Sequence, residues 1–322
     1  MPWCFRPLAY LPSGVSHFIY TVVLKPAPVR ALAHWVLRRF VIPSRMQING
    51  MTLLLNPQDA VISSALALGC YERFEVGVFA SLAKPGDVVY DIGANIGLYS
   101  MVASQAVGRS GTVIALEPES VNFGFLSRTV ARNGLHQVRC FNVAAGNRTG
   151  VARLFLCEDN KGDHRVYESE AERACVDVPM TTIDALRDAE GIAAPSLIKI
   201  DIQGAELWAL QGMTQTLRDA SPAVLMEFWP WGLQRAGSDP AEVLRLMRSL
   251  GYQIFEVRPR RQDVALVDSA DDGVLLGRHL ERQYTNLLVS RLTLDTAALA
   301  AAGRGFSFET PVRRSDRSQG PT

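Results

Sequence analysis

Asp91-Ile92-Gly93-Ala94-Asn95-Ile96-Gly97 follows the apolar run Asp87 to Ile92 and leads into a helix-forming stretch, which marks a strand, a tight turn and a helix N-terminus. Glycines in such a corner let the backbone approach a ligand closely, and the helix start offers unpaired N–H groups. A nicotinamide fingerprint needs glycines at 93, 95 and 98, whereas this chain has Asn95 and Leu98. Asp91 would also repel a pyrophosphate. An acid there suits a ligand with an amino group and no phosphate, such as the amino-acid end of S-adenosylmethionine. A glycine turn is also a plain strand-to-helix corner, and it is the acid that favours the ligand.

From about Lys84 to Ser290 the pattern repeats: strand, glycine turn, helix. Strands are predicted over Asp87 to Ile92, Thr112 to Glu117, Gln137 to Val143, Leu197 to Ile202, Ala223 to Phe228, Tyr252 to Val257 and Tyr284 to Ser290. Most are short, rich in Val, Ile and Leu, and bounded by Gly, Pro or Asp, as buried parallel strands are. Phe123, Leu126 and Val130 step at helical spacing before Asn133-Gly134, and Leu207, Leu210, Met213 and Leu217 do so before Pro222. The alternation predicts a doubly wound α/β sheet with helices on both faces. Between the third strand and Leu197 it breaks. Val151 to Leu156 and Val176 to Met180 are extra strands around a polar loop with Asn160, Asp163 and His164, expected over the sheet's carboxyl edge.

The balance of 33 Lys plus Arg against 32 Asp plus Glu in 322 residues argues against general nucleic-acid binding, which needs a basic excess. The expected partner is a small molecule or glycan. Cys4, Cys70, Cys140, Cys157 and Cys175 form no C-x-x-C pair and have no His at finger spacing, so neither a disulfide framework nor a metal site is expected. The apolar run Val15 to Leu24 is too short to cross a bilayer, and the chain reads as a cytoplasmic enzyme. No acid precedes Asp59. Val29, Leu32, Ala33, Val36, Leu37 and Phe40 recur at helical spacing opposite Arg30, His34 and Arg38, a basic amphipathic helix that packs on the main domain or docks on a membrane surface; packing is the favoured reading. The division expected is residues 1–50 as a basic segment, 51–295 as the catalytic domain, and 296–322 as a tail, polar and disordered from Gly303.

Glu117, ending the second strand, is placed to accept both ribose hydroxyls of a nucleoside, a device NAD enzymes share. Asn142, ending the third, lies where adenine would sit, though a strand-end Asn is as often a turn residue. Period two puts Lys199 and Asp201 on one face of the fourth strand, where opposite charges are costly unless paired. Glu227 joins that edge. Trp229 and Trp231, with Arg235 nearby, suit a sugar ring and equally suit packing.

Together these segments resemble the FkbM family of S-adenosylmethionine-dependent methyltransferases: Asp91 to Gly97, Ala115-Leu116-Glu117-Pro118, Thr181-Thr182-Ile183-Asp184, Lys199 to Glu206, Met226-Glu227-Phe228-Trp229-Pro230 and the upstream Gly69-Cys70-Tyr71-Glu72. The likeness covers roughly Gly50 to Arg291. It implies a Rossmann-like, seven-stranded, mostly parallel sheet of the class I methyltransferases, with the last strand antiparallel. It also implies O-methylation of a hydroxyl on a sugar, polyketide or similar product. Asp91, Gly93, Asn95 and Gly97, with Glu117 and Asn142, are then expected to hold the cofactor, and Glu72, Glu227, Trp229 and Trp231 the acceptor. Gln203 departs from the pattern, where many members have Glu.

An aliphatic hydroxyl is a weak nucleophile, so a base must take its proton. Asp201, with Lys199 beside it, is the first candidate and His164 the second. N-methylation needs no strong base, and a non-catalytic cofactor-binding module is the reading from another class; intact Asp91, Glu117 and Asp201 argue against the latter.

Overall fold

The computed structural model describes residues 35–158, 160–168, 173–279 and 283–308. Of the basic amphipathic helix, residues 29–34 lie outside this set, as do the apolar run Val15 to Leu24 and the tail beyond residue 308. Within it, Leu37 is buried while Trp35 and Phe40 are exposed, and Leu37–Val41 forms a π-helical turn.

Among the described residues thirteen strands follow in chain order. β1 (Arg45–Ile48) and β2 (Met51–Leu54) form a hairpin. The central sheet is built from β3 (Val88–Ile92), β4 (Thr112–Leu116) and β5 (Val138–Phe141), then, after three strands of a smaller sheet, from β9 onward. The smaller sheet holds β6 (Ala144–Ala145), β7 (Gly150–Phe155) and β8 (Cys175–Thr181). The central sheet resumes with β9 (Leu197–Ile200), β10 (Ala223–Phe228), β11 (Gln253–Arg258), β12 (Asp263–Val267) and β13 (Thr285–Ser290).

The central sheet has the order β12-β11-β13-β10-β9-β3-β4-β5. β3, β4, β5, β9 and β10 pair in parallel, and β13 runs antiparallel to both its neighbours. The expected seven-stranded frame is therefore present, and β12 adds an eighth strand antiparallel to β11 at the edge. Strand order reverses between β3 and β9. In a doubly wound sheet the crevice beyond the carboxyl ends at that reversal is where ligands bind, because the following loops diverge to opposite faces.

Period two is visible in the burial. Val89, Val113, Leu197 and Leu225 face one apolar cluster, with the helices Arg73–Leu82, Leu98–Val107 and Thr296–Gly305. Tyr90, Ile114, Ile198, Val224 and Met226 face the other, with Glu206–Gln211 and Pro240–Ser249. Asp91 and Lys199 are register partners, so both charged groups share the first face.

Two boundaries move. The division at residue 50 falls inside the β1–β2 turn, where Asn49 and Gly50 adopt positive φ, as a two-residue hairpin requires. That hairpin belongs to the main domain: Thr52 N–H donates to Asn133 Oδ1 at 2.7 Å, and Asn133 Nδ2 donates back to Thr52 O at 2.7 Å. At the other end Thr296–Gly305, assigned to the tail, is a helix capped by Asp295. It packs where Gly77 and Gly303 let two helices touch, and Arg73 Nη2 donates to Phe306 O at 2.9 Å. Leu299, Ala300 and Gly303 are its buried residues, a stripe too short and too small to stand out in the sequence.

Candidate active site

A cavity of about 230 Å³ opens at the sheet reversal, bounded by the glycine turn, the end of β4, the insertion loop and the ends of β9 and β10. Its two sides are built differently.

On the first side, backbone dominates. Gly93 N–H and Ala94 N–H both donate to Leu116 O at 2.9 Å, which folds the chain back sharply after β3. Gly93 has φ +83°, and a Cβ there would meet the Asp201 carbonyl oxygen, so no larger residue fits. Asn95 is also left-handed, at φ 51°. Its N–H donates to Glu117 Oε2 at 2.9 Å, while Glu117 Oε1 accepts from Glu119 N–H at 2.9 Å. Gly97 caps the helix Leu98–Val107. Burial pushes the Glu117 carboxyl up to about 8. Burial likewise raises Asp91 to about 6, opposed by the Ser100 hydroxyl that donates to it at 2.5 Å.

The insertion loop closes over this side as expected. Asn122 Nδ2 donates to Lys161 O at 2.8 Å, and Asp163 ties the loop through Arg165 at 2.6 Å and Arg173 at 2.8 Å. Asn95 and Glu117 thus border the cavity, with the Asn95 side chain itself engaged by Ile96 N–H at 2.8 Å.

The second side is made of side chains. Lys199 is buried; its Nζ lies 3.6 Å from Asp201 Oδ2 and 4.9 Å from the centre of the Tyr99 ring. Burial opposes its charge, yet Asp201, Glu72, Glu227 and Asp91 together hold its pKa above the ordinary value. Glu72 accepts from the Tyr99 hydroxyl at 2.8 Å, and burial raises its pKa despite Lys199. Glu227 lies at the end of β10, its carboxyl held well above the usual range by burial first and by the charges of Asp201 and Glu206 next. Gln203 Nε2 donates to Asp201 Oδ1 at 2.8 Å and to Glu227 Oε2 at 3.0 Å.

Four sequence-based assignments change. Asn142 is exposed, and its Nδ2 donates to Glu117 O at 2.8 Å and Pro118 O at 3.0 Å, so it closes a turn rather than facing the cavity. Trp229 and Trp231 stack on each other at 5.1 Å and carry the Arg165 guanidinium at 4.8 and 5.7 Å. Neither is among the residues that line the cavity. His164 does border it, but its Nδ1 accepts the Cys157 N–H at 3.0 Å and burial lowers its pKa to about 4. The neutral ring then carries its proton on Nε2 and has no lone pair left for a base.

Sequence reasoning missed Tyr71, Tyr99, Tyr284 and Asn122, all of which border the cavity. Tyr71 and Tyr99 adjoin motifs already singled out; Tyr284, 56% exposed at the mouth, carries no local signal. Among the described residues no cluster of His, Cys, Asp and Glu suits a metal ion, and no helix is long and apolar enough to cross a membrane.

A glycine turn at the sheet reversal, an acid ending the next strand and an insertion closing over both belong to an α/β fold of the class I methyltransferase type. The sequence model of the Methyltransferase FkbM domain matches residues 91–254, a little over half of the 322-residue chain. The chain belongs to the FkbM methyltransferase family. Curated relatives include methyltransferase sdnD of Sordaria araneosa, 28% identical over 53% of this chain and 75% of that protein. The hexuronic acid methyltransferase AglP of Haloferax volcanii is 24% identical over 51% of this chain and 63% of its own length. The 31-O-demethyl-FK506 methyltransferase FkbM of Streptomyces tacrolimicus is 30% identical over 45% of this chain and 64% of its own length. A crystal structure of an FkbM methyltransferase from Methylobacillus flagellatus shares 16% identity at a TM-score of 0.39, covering 82% of this chain and 60% of that one, an overlap too loose to place side chains.

Proposed function

We propose that the protein transfers a methyl group from S-adenosylmethionine to a hydroxyl of a sugar, glycan or other natural product, with Asp201 as the base. The observation that carries this reading is the Asp201 carboxyl group in the same cavity as the glycine turn, one oxygen accepting from Gln203 Nε2 at 2.8 Å and the other 3.6 Å from Lys199 Nζ. The names of AglP and of the Streptomyces enzyme, a hexuronic acid methyltransferase and a 31-O-demethyl-FK506 methyltransferase, support acceptors of this class.

The residues fit the cofactor. Asp91, Gly93, Asn95 and Gly97 offer an acid and close-approach backbone to an amino-acid end, and Glu117 keeps lone pairs for ribose hydroxyls. When bound, S-adenosylmethionine supplies an electrophilic methyl group on a cationic sulfur. Holding the acceptor oxygen about 3 Å from the reacting carbon is the largest contribution such a site can make. Asp201 then receives the hydroxyl proton, and Glu227, whose burial favours its neutral form, lines the same cavity beside it. Lys199, its charge favoured by the surrounding acids, places a cation 3.6 Å from Asp201 Oδ2.

Incubating the purified chain with methyl-labelled S-adenosylmethionine and a panel of sugars, glycosides and cell extract tests the reading. A labelled O-methyl ether, identified by NMR, is expected. Label found only on amines would contradict it.

A further inference from the structure

Gln203 occupies the left-handed region at φ 55°, which a glutamine keeps only where its surroundings hold it. Two contacts do so: its carbonyl accepts the Tyr167 hydroxyl at 2.7 Å, and Glu206 Oε1 accepts the N–H groups of Ile202 and Gly204 at 3.2 and 3.1 Å. With the backbone pinned on both sides, the side-chain amide points at two carboxyl groups at once, Asp201 Oδ1 at 2.8 Å and Glu227 Oε2 at 3.0 Å. An amide nitrogen has two N–H donors, and both are taken.

We propose that Gln203 is the positioning residue of the acceptor side, its amide bridging Asp201 and Glu227 so that the Asp201 carboxyl is held in a fixed orientation toward the cavity. The proposal rests on the reading of Asp201 as the base. Two carboxyl groups that share one nitrogen are too close for both to ionise readily. The pair is faced by Lys199 from β9, Glu72 and Tyr71 from the segment before Arg73–Leu82, Asp91 from β3 and Glu206 from its own helix. Tyr167 of the insertion and Tyr284 ahead of β13 complete the surroundings. Of these Lys199 is the cation, and it approaches Asp201 rather than Glu227, 3.6 Å from Oδ2. Asp201 thus has the amide on one oxygen and the Lys199 ammonium near the other, while Glu227 has the amide and burial against it. A carboxyl in place of the amide would put a third acid on the pair, removing the N–H donors and adding a proton to be shared.

The test has an arm that needs no acceptor. In the ¹⁵N-labelled full chain saturated with S-adenosylhomocysteine, the Gln203 side-chain NH₂ resonances, assigned by their loss in Gln203→Glu, are followed from about pH 4 to about pH 9. They are expected to titrate in the parent, and the transition is expected to change in both Asp201→Asn and Glu227→Gln. On the acceptor found by label transfer, Gln203→Glu should move the acid limb of the kcat/KM profile up by about one pH unit or more. Gln203→Leu should lower kcat about tenfold or more, with S-adenosylhomocysteine affinity within about twofold. Amide resonances that ignore pH, with parental profiles in both variants, would overturn the bridge. A titrating amide together with a fully active Asp201→Asn would remove Asp201 as the base and leave the bridge standing.

Discussion

The two sides of the cavity solve the problem of precision differently. The glycine-turn side is made from consecutive residues, Asp91 to Gly97 and Glu117 to Glu119, whose backbone N–H groups and tight turns are fixed by β3 and β4. The Asp201 side is assembled from side chains that the fold brings from far apart: Glu72 before the first long helix, Asp201 and Gln203 after β9, Glu227 at the end of β10. A backbone-built site is rigid and tolerates no added atoms. A side-chain site is adjustable one residue at a time, which suits a partner that differs from enzyme to enzyme, whereas the first side suits one shared ligand.

The largest effect expected is on the adjustable side. Asp201→Asn should lower turnover by about 10² to 10⁴, or about 3 to 5 kcal/mol, with cofactor affinity within a few-fold. Single-turnover kinetics with labelled donor check it, with a melting curve beside them because Lys199 loses a counter-charge. Should cofactor affinity collapse as well, the two sides would not be separable.

Gly93→Ala probes the rigid side. Its new methyl group would meet the Asp201 carbonyl oxygen at a φ of +83°, so a destabilisation of about 3 kcal/mol is expected, read from the denaturant midpoint. A variant as stable as the parent would mean that the turn yields.

Glu117→Ala should weaken S-adenosylhomocysteine binding by about 1.5 to 3 kcal/mol while folding survives. The sign of its pH dependence follows from its carboxyl, raised to about 8: the anion is the form that accepts two ribose hydroxyls, so affinity should fall as pH drops below about 8 and the slope should vanish in Glu117→Gln. Calorimetry across pH checks both.

Trp231→Ala should leave acceptor KM within about twofold, because the ring packs on Trp229 and Arg165 outside the cavity. A large KM change would return the tryptophans to acceptor binding.

Legibility in the sequence follows the same division. Asp91, Gly93, Asn95 and Glu117 could be placed because their spacing along two neighbouring strands fixes their geometry, and the alternation of apolar residues fixed the parallel sheet. Lys199 and Asp201 were paired by period two alone. The contact of Gln203 with Glu227 depends on the register of β9 against β10, which a single sequence does not state. His164 and Asn142 share one feature: each bonds a nearby backbone group, a use that residue type allows, as for any strand-end Asn, but does not distinguish from ligand contact. The β1–β2 hairpin was within reach, since Asn49-Gly50 between apolar residues is a hairpin signal. The helix Thr296–Gly305 was not, because small residues packed against Gly77 resemble a featureless tail.

Calorimetric titration of S-adenosylhomocysteine into the parent, Glu117→Ala and Asp201→Asn proteins, with NAD as the control ligand, tests most directly that one side holds a methyl donor and the other the base. Binding to the parent, near-parental binding to Asp201→Asn, about tenfold or greater weakening in Glu117→Ala and no heat with NAD are expected. Tight NAD binding with no response to S-adenosylhomocysteine would contradict it.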